Sequence, residues 1–66
     1  MKINITNLRI AMARASMNNN DLIEATGLSK NTIASYTSGH RNPTSKSIGI
    51  LSKALKCDVT ELIEDE

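Results

Sequence analysis

The run NNDLIEATGLSKNTIASYTS, Asn19 to Ser38, decides the fold of this chain. Its apolar residues fall at helical spacings: Leu22 and Ile23 precede Gly27, and Ile33 and Tyr36 follow it three apart. Gly27 comes after the last turn of the first segment and suits the left-handed residue that ends a helix. Leu28 is an apolar turn residue, and Ser29 is placed to cap the next helix, expected from about Lys30 to Ser38. Two short helices are therefore joined by a tight turn. Leu22, Leu28, Ile33 and Tyr36 supply the apolar contacts that would lock them at a steep angle.

Punctuation continues on both sides. Upstream, Asn18 is a candidate N-cap with Asp21 at the third helical position, where a carboxylate favours the positive helix end. Before it, Leu8, Ala11, Met12 and Ala15 lie on one stripe of a helix expected from Asn4 or Ile5 to Ala15. Downstream, Gly39 ends the helix that began at Lys30, and His40 to Pro43 form a polar loop. Thr44 caps a fourth helix carrying Ile48, Leu51, Ala54 and Leu55. Asp58 and Glu61 have the form of a capping pair for a short fifth helix with Val59, Leu62 and Ile63 as its apolar positions. No segment alternates long enough for a strand. The expected fold is all-α, a compact bundle of five short helices forming a single domain over residues 1–66.

With 66 residues the chain supports one small core. Cys57 is its single cysteine, which rules out an internal disulfide and fits a reducing, intracellular setting; the thiol itself reads as a small buried hydrophobe. Met1 to Thr6 has no apolar signal region, and no apolar run approaches the roughly 20 residues of a membrane span. The Met start and acidic finish lean towards a whole small protein, the other reading being the amino-terminal domain of a longer repressor. Nothing resembles a nucleophile–base set or a phosphate-cradling glycine loop, so no enzyme is expected. His40, without a second ligand at metal spacing, indicates no metal site, and no cofactor or small-molecule ligand is suggested.

Net charge is only +1, but its distribution is uneven. From Ala25 to Cys57 there is no acid, while Lys30, His40, Arg41, Lys46, Lys53 and Lys56 fall there; Asp58, Glu61, Glu64, Asp65 and Glu66 crowd the end. A basic middle and an acidic tail suit one face for a polyanion. The outward side of the helix from Lys30 carries Lys30, Asn31, Thr32 and Ser35, with Thr37 or Ser38 towards its end. It is polar, short and acid-free. Asn pairs with adenine, Lys donates to guanine, and Thr or Ser can do either or touch a thymine methyl. Taken alone, the same residues also fit a solvated helix face. A steep two-helix unit, however, is what lets a second helix lie in the major groove while the first crosses the backbone.

The run DLIEATGLSKNTIASYTSGHRNPTSKSIGILSKALKCDVTELI, Asp21 to Ile63, resembles the Cro/repressor-type (XRE-like) helix-turn-helix regulators of phage and bacteria. The likeness extends over about Leu8 to Ile63. It rests on the joint spacing of Gly27-Leu28-Ser29, Thr32-Ile33, Gly39, Pro43, Ala54-Leu55 and Leu62. The resemblance implies a cytoplasmic, sequence-specific DNA-binding transcription regulator, a repressor or Cro-like switch, acting as a homodimer on a pseudo-palindromic operator. It implies base contacts at Lys30, Asn31 and Ser35, to which the outward face adds Thr32. It implies phosphate contacts at Asn18, Asn19 and Asn20, at His40, Arg41 and Asn42, and at the start of the fourth helix with Thr44, Ser45 and Lys46; Ser38 joins this set. Leu62 and Ile63 are the expected dimer surface. Family members often carry a buried Arg near the end of the first helix paired with a Glu near the end of the recognition helix. Here those positions read Met12 and Thr37. Joint loss is coherent, because losing one partner alone strands a buried charge at a cost of about 3–5 kcal/mol. An alternative reading is a protein-interaction module on the same scaffold, such as an antitoxin-like or anti-repressor partner, which the modest net charge and acidic tail also fit.

Overall fold

The structure, a computed structural model, describes residues 2–64. Met1 and the acidic finish at Asp65 and Glu66 lie outside them. Five helices are present among the described residues: α1 (Ile5–Arg14), α2 (Asn19–Thr26), α3 (Lys30–Ser38), α4 (Ser45–Leu55) and α5 (Val59–Leu62). Each begins at a side-chain cap. Asn4, Asn18, Ser29, Thr44 and Asp58 all sit in extended backbone and accept an N–H from the first turn of the helix that follows. Such caps satisfy donors that have no intrahelical partner.

Two glycines do what only glycine does easily. Gly27 ends α2 at φ +74° and Gly39 ends α3 at φ +84°, both left-handed. A Cβ at Gly39 would also displace Cδ1 of Ile5 on α1. The turn between α2 and α3 is fixed by side chains as well. Thr26 Oγ1 donates to the Leu22 carbonyl at 2.7 Å and accepts the Leu28 N–H at 3.2 Å.

The helices close over one cluster in which Leu8, Leu22, Ile33, Leu51 and Leu62 are completely buried, with Ala11, Met12, Tyr36 and Leu55 around them. Fully burying a side chain of this size contributes about 1.5–3 kcal/mol, so these positions hold the small domain together. α3 packs on α2 and α1, α4 on α2 and α5, and α5 on α1. The α2–α3 pair is thereby clamped from behind by the rest of the chain. Tyr36 is buried with Ile33, and its hydroxyl donates to Ser47 Oγ on α4 at 3.3 Å.

One element was not expected. Lys2–Ile3 (β1) and Ile63–Glu64 (β2) pair antiparallel, Lys2 opposite Glu64 and Ile3 opposite Ile63. The Asn4 N–H donates to the Leu62 carbonyl at 2.7 Å beside the ribbon. The fifth helix therefore ends at Leu62, and Ile63 is its extended C-cap at φ −113°. Leu62 and Ile63 are the two positions expected at a dimer surface. Leu62 is wholly enclosed in the chain's own core, so its side chain offers no area to a second copy, and Ile63 is half-buried within the ribbon. Cys57 is half-buried rather than enclosed; burial first, then Glu61 and Asp58, push its thiol pKa up, which keeps it protonated.

Candidate nucleic-acid interface

α3 has nine residues, and a helix about 10–12 Å across with its side chains fits a major groove about 12 Å wide. Ile33 and Tyr36 turn inward. On the opposite side Lys30, Asn31, Ala34 and Ser38 are exposed, and Ser35 is half-exposed between them. Ala34 was not among the expected contacts. Helical spacing from Asn31 and Ser38 could have found it, and its methyl suits close approach to a thymine methyl. Thr32 is different. It lies at the flank of the helix, half-buried, and its hydroxyl is 2.7 Å from Ser29 Oγ within the cap. Of the four expected base-reading residues, then, Lys30, Asn31 and Ser35 share the outward stripe and Thr32 stands beside it.

The expected phosphate set divides similarly. Asn18 is engaged: its Oδ1 accepts the Asp21 N–H at 2.9 Å while the Asp21 carboxylate accepts the Asn18 N–H at 3.0 Å. Asn19 and Asn20 are exposed in the first turn of α2. Ser38 and His40 are joined, Oγ to Nδ1 at 2.7 Å, next to the end of α3. Which of the two donates follows the ring tautomer, and Nε2 takes no part in this bond. Arg41 is exposed, and its N–H reaches back to the Ser35 carbonyl at 3.3 Å, holding the loop against α3. Asn42 is exposed but committed in part, because its Oδ1 accepts the Ile3 N–H at 3.3 Å. Thr44 caps α4, and Ser45 and Lys46 are exposed in its first turn.

Lys2 pairs with Glu64 at 3.8 Å and Arg14 with Glu61 at 3.5 Å, both exposed pairs on the ribbon and α5 side. Among the described residues, Lys30, Arg41 and Lys46 have no carboxylate partner. The first turns of α3 and α4 contain no acid. Uncompensated cations beside helix N-termini make this region attractive to a polyanion. No group of three or more potential metal ligands occurs among the described residues, and no described helix is long and apolar enough to cross a membrane.

Met12 and Thr37, the positions without the ion pair, lie on one cleft with Arg9, Ala13, Met17, Asn19 and Ser38. Met12 is buried, and Arg9, one turn earlier on α1, donates from Nη2 to the Thr37 carbonyl at 3.4 Å. Sequence reading passed over Arg9 because its partner is a backbone carbonyl, which leaves no mark in the residue types.

Comparison with known proteins agrees with this geometry. No match was found among curated proteins. Among solved structures, a transcriptional regulator from Listeria innocua is similar, with a TM-score of 0.75 and 20% sequence identity. The alignment covers 100% of this chain and 64% of that one, so this chain spans about two-thirds of the regulator's length or slightly less. At that identity the likeness shows the shared fold. A family model described as the Cro/C1-type HTH DNA-binding domain matches residues 7–66, nearly the whole chain, and the chain belongs to that family.

Proposed function

We propose that this chain is a sequence-specific transcription regulator, a repressor or Cro-like switch, that reads duplex DNA with α3 in the major groove. The observation that carries the reading is the acid-free outward stripe of α3, Lys30, Asn31, Ala34, Ser35 and Ser38, mounted on a fully buried Ile33–Tyr36 face. Lys30, Asn31 and Ser35 read base edges, with Thr32 at the flank. Asn18, Asn19, Asn20, Ser38, His40, Arg41, Asn42 and Lys46 hold the backbone. The name of the similar Listeria innocua protein supports regulation as the purpose of binding. The chain acts in the cytoplasm as a single domain over residues 1–66. Two copies bind a pseudo-palindromic site, because one short helix with a few phosphate contacts gives little affinity and half-sites one turn apart multiply it. The dimer contact does not involve the Leu62 side chain, which is enclosed.

Selection of bound sequences from a random duplex pool tests this. The expected product is a motif with two-fold symmetry and half-sites about 10 base pairs apart. Asn31→Ala should relax the preference at one base pair in each half-site by about 1–3 kcal/mol. An unenriched pool would overturn sequence reading, and an equal loss on every sequence would remove Asn31 from the base contacts.

A further inference from the structure

We propose that Arg9 is a DNA backbone contact, seated in the cleft between α1, the start of α2 and the end of α3 and held ready by the Thr37 carbonyl. The inference rests on the DNA-binding reading above and adds a residue from outside the helix pair.

Arg9 is exposed on α1, and its Nη2 donates to the Thr37 carbonyl at 3.4 Å. A guanidinium carries five N–H donors in a planar fork, and this bond uses one of them. No described carboxylate pairs with Arg9. α3 has no basic residue in its last turn, so Arg9 supplies from a neighbouring helix the cation that its carbonyl end favours. The bond also orients the side chain in advance, which lowers the ordering cost when an anion arrives.

The surroundings identify the anion. The cleft has a volume of about 400 Å³ and opens to solvent; Met12 and Met17 form its apolar wall, Asn19 and Ser38 its polar rim, and no acid lines it. Asn19 and Ser38 belong to the proposed backbone-contact set on either side of Arg9. A strand held by the start of α2 and the end of α3 therefore passes the free donors of the guanidinium. A phosphate oxygen pair matches that fork in a way a single ammonium does not.

The test is titration of the intact chain against a random-sequence duplex pool across a salt series. Arg9→Gln removes the charge while keeping a polar, hydrogen-bonding side chain. Its plot of log affinity against log salt should be shallower than wild type by about 0.9. Arg9→Lys keeps the charge and should retain the wild-type slope. Arg14→Gln, on the side facing Glu61, should also leave the slope unchanged. A role confined to holding α3 would lower affinity without moving the slope. An Arg9→Gln slope equal to wild type, or an Arg9→Lys slope as shallow as that of Arg9→Gln, overturns the assignment while leaving DNA binding intact. Wild-type protein with no salt-dependent binding at all would overturn the reading beneath it.

Discussion

The starts of α2 and α5 differ from the starts of α3 and α4, and the difference separates helix starts whose charge serves the helix from starts that leave a cation free for an anion. α2 and α5 open on reciprocal capping boxes, Asn18 with Asp21 and Asp58 with Glu61, in which an acid three residues on answers the cap. α3 and α4 open on single hydroxyls, Ser29 and Thr44, and carry Lys30 and Lys46 in an acid-free first turn. A carboxylate in the first turn stabilises a helix by about 0.3–1 kcal/mol, and a cation there opposes the dipole by a similar amount. Stability alone would place the acids the same way on all four helices. Local choices that contradict helix stability collect at functional sites. The two lysines that break the rule sit on the face assigned to DNA.

That contrast can be broken or sharpened in several ways. The largest effect belongs to α5. Leu62→Ala empties a fully buried position under α5 and should cost about 2–5 kcal/mol in urea unfolding; a loss below 1 kcal/mol would mean that α5 is only loosely seated. Asn18→Ala removes one half of the α2 box and should cost about 0.5–2 kcal/mol in the same assay. Lys30→Glu gives α3 the acid that α2 and α5 already have. It should raise thermal stability by about 0.3–1 kcal/mol while DNA affinity falls, and loss of both together would undo the contrast between the two kinds of helix start. The smallest effect is in acid. Hydrogen bonds from the Thr60 N–H and hydroxyl hold the Asp58 carboxyl below its usual range. A depressed folded value means that this contribution is complete above the ordinary carboxylate pKa and disappears as pH falls through the lower folded one. Asp58→Asn should therefore flatten the acid limb of the stability curve, and an unchanged limb would take Asp58 out of it.

The sequence carried most of the helical frame because its determinants are local. Asn18, Ser29, Thr44 and Asp58 cap where their spacing to the next apolar run demands, and Gly27 and Gly39 end helices where a left-handed residue is needed. What escaped was non-local. A two-residue strand has no periodicity to read, so the pairing of Ile3 with Ile63 and the closing of Leu62 behind it left no pattern. The reading face was legible as a composition but not residue by residue. Ala34 carries no polar group to attract notice, and Thr32 looks like a contact until its position on the helix flank and its cap partner Ser29 are known. Arg9 depended on the path of α1 past the end of α3.

The β1–β2 ribbon has a kinetic consequence. Contact between α2 and α3 needs only a short turn to form, whereas the ribbon closes a loop of almost the full chain, and loop-closure entropy defers such contacts to late in folding. In reverse it is the first place to open, since it has only two residues on each side. Opening frees the Ile3 N–H from Asn42 and the Asn4 N–H from Leu62. One of those bonds ends on the loop that follows α3. Fraying at the two ends of the described chain is thus communicated to the segment carrying His40 and Arg41, and hydrogen exchange at Ile3 reports on how firmly that loop is held.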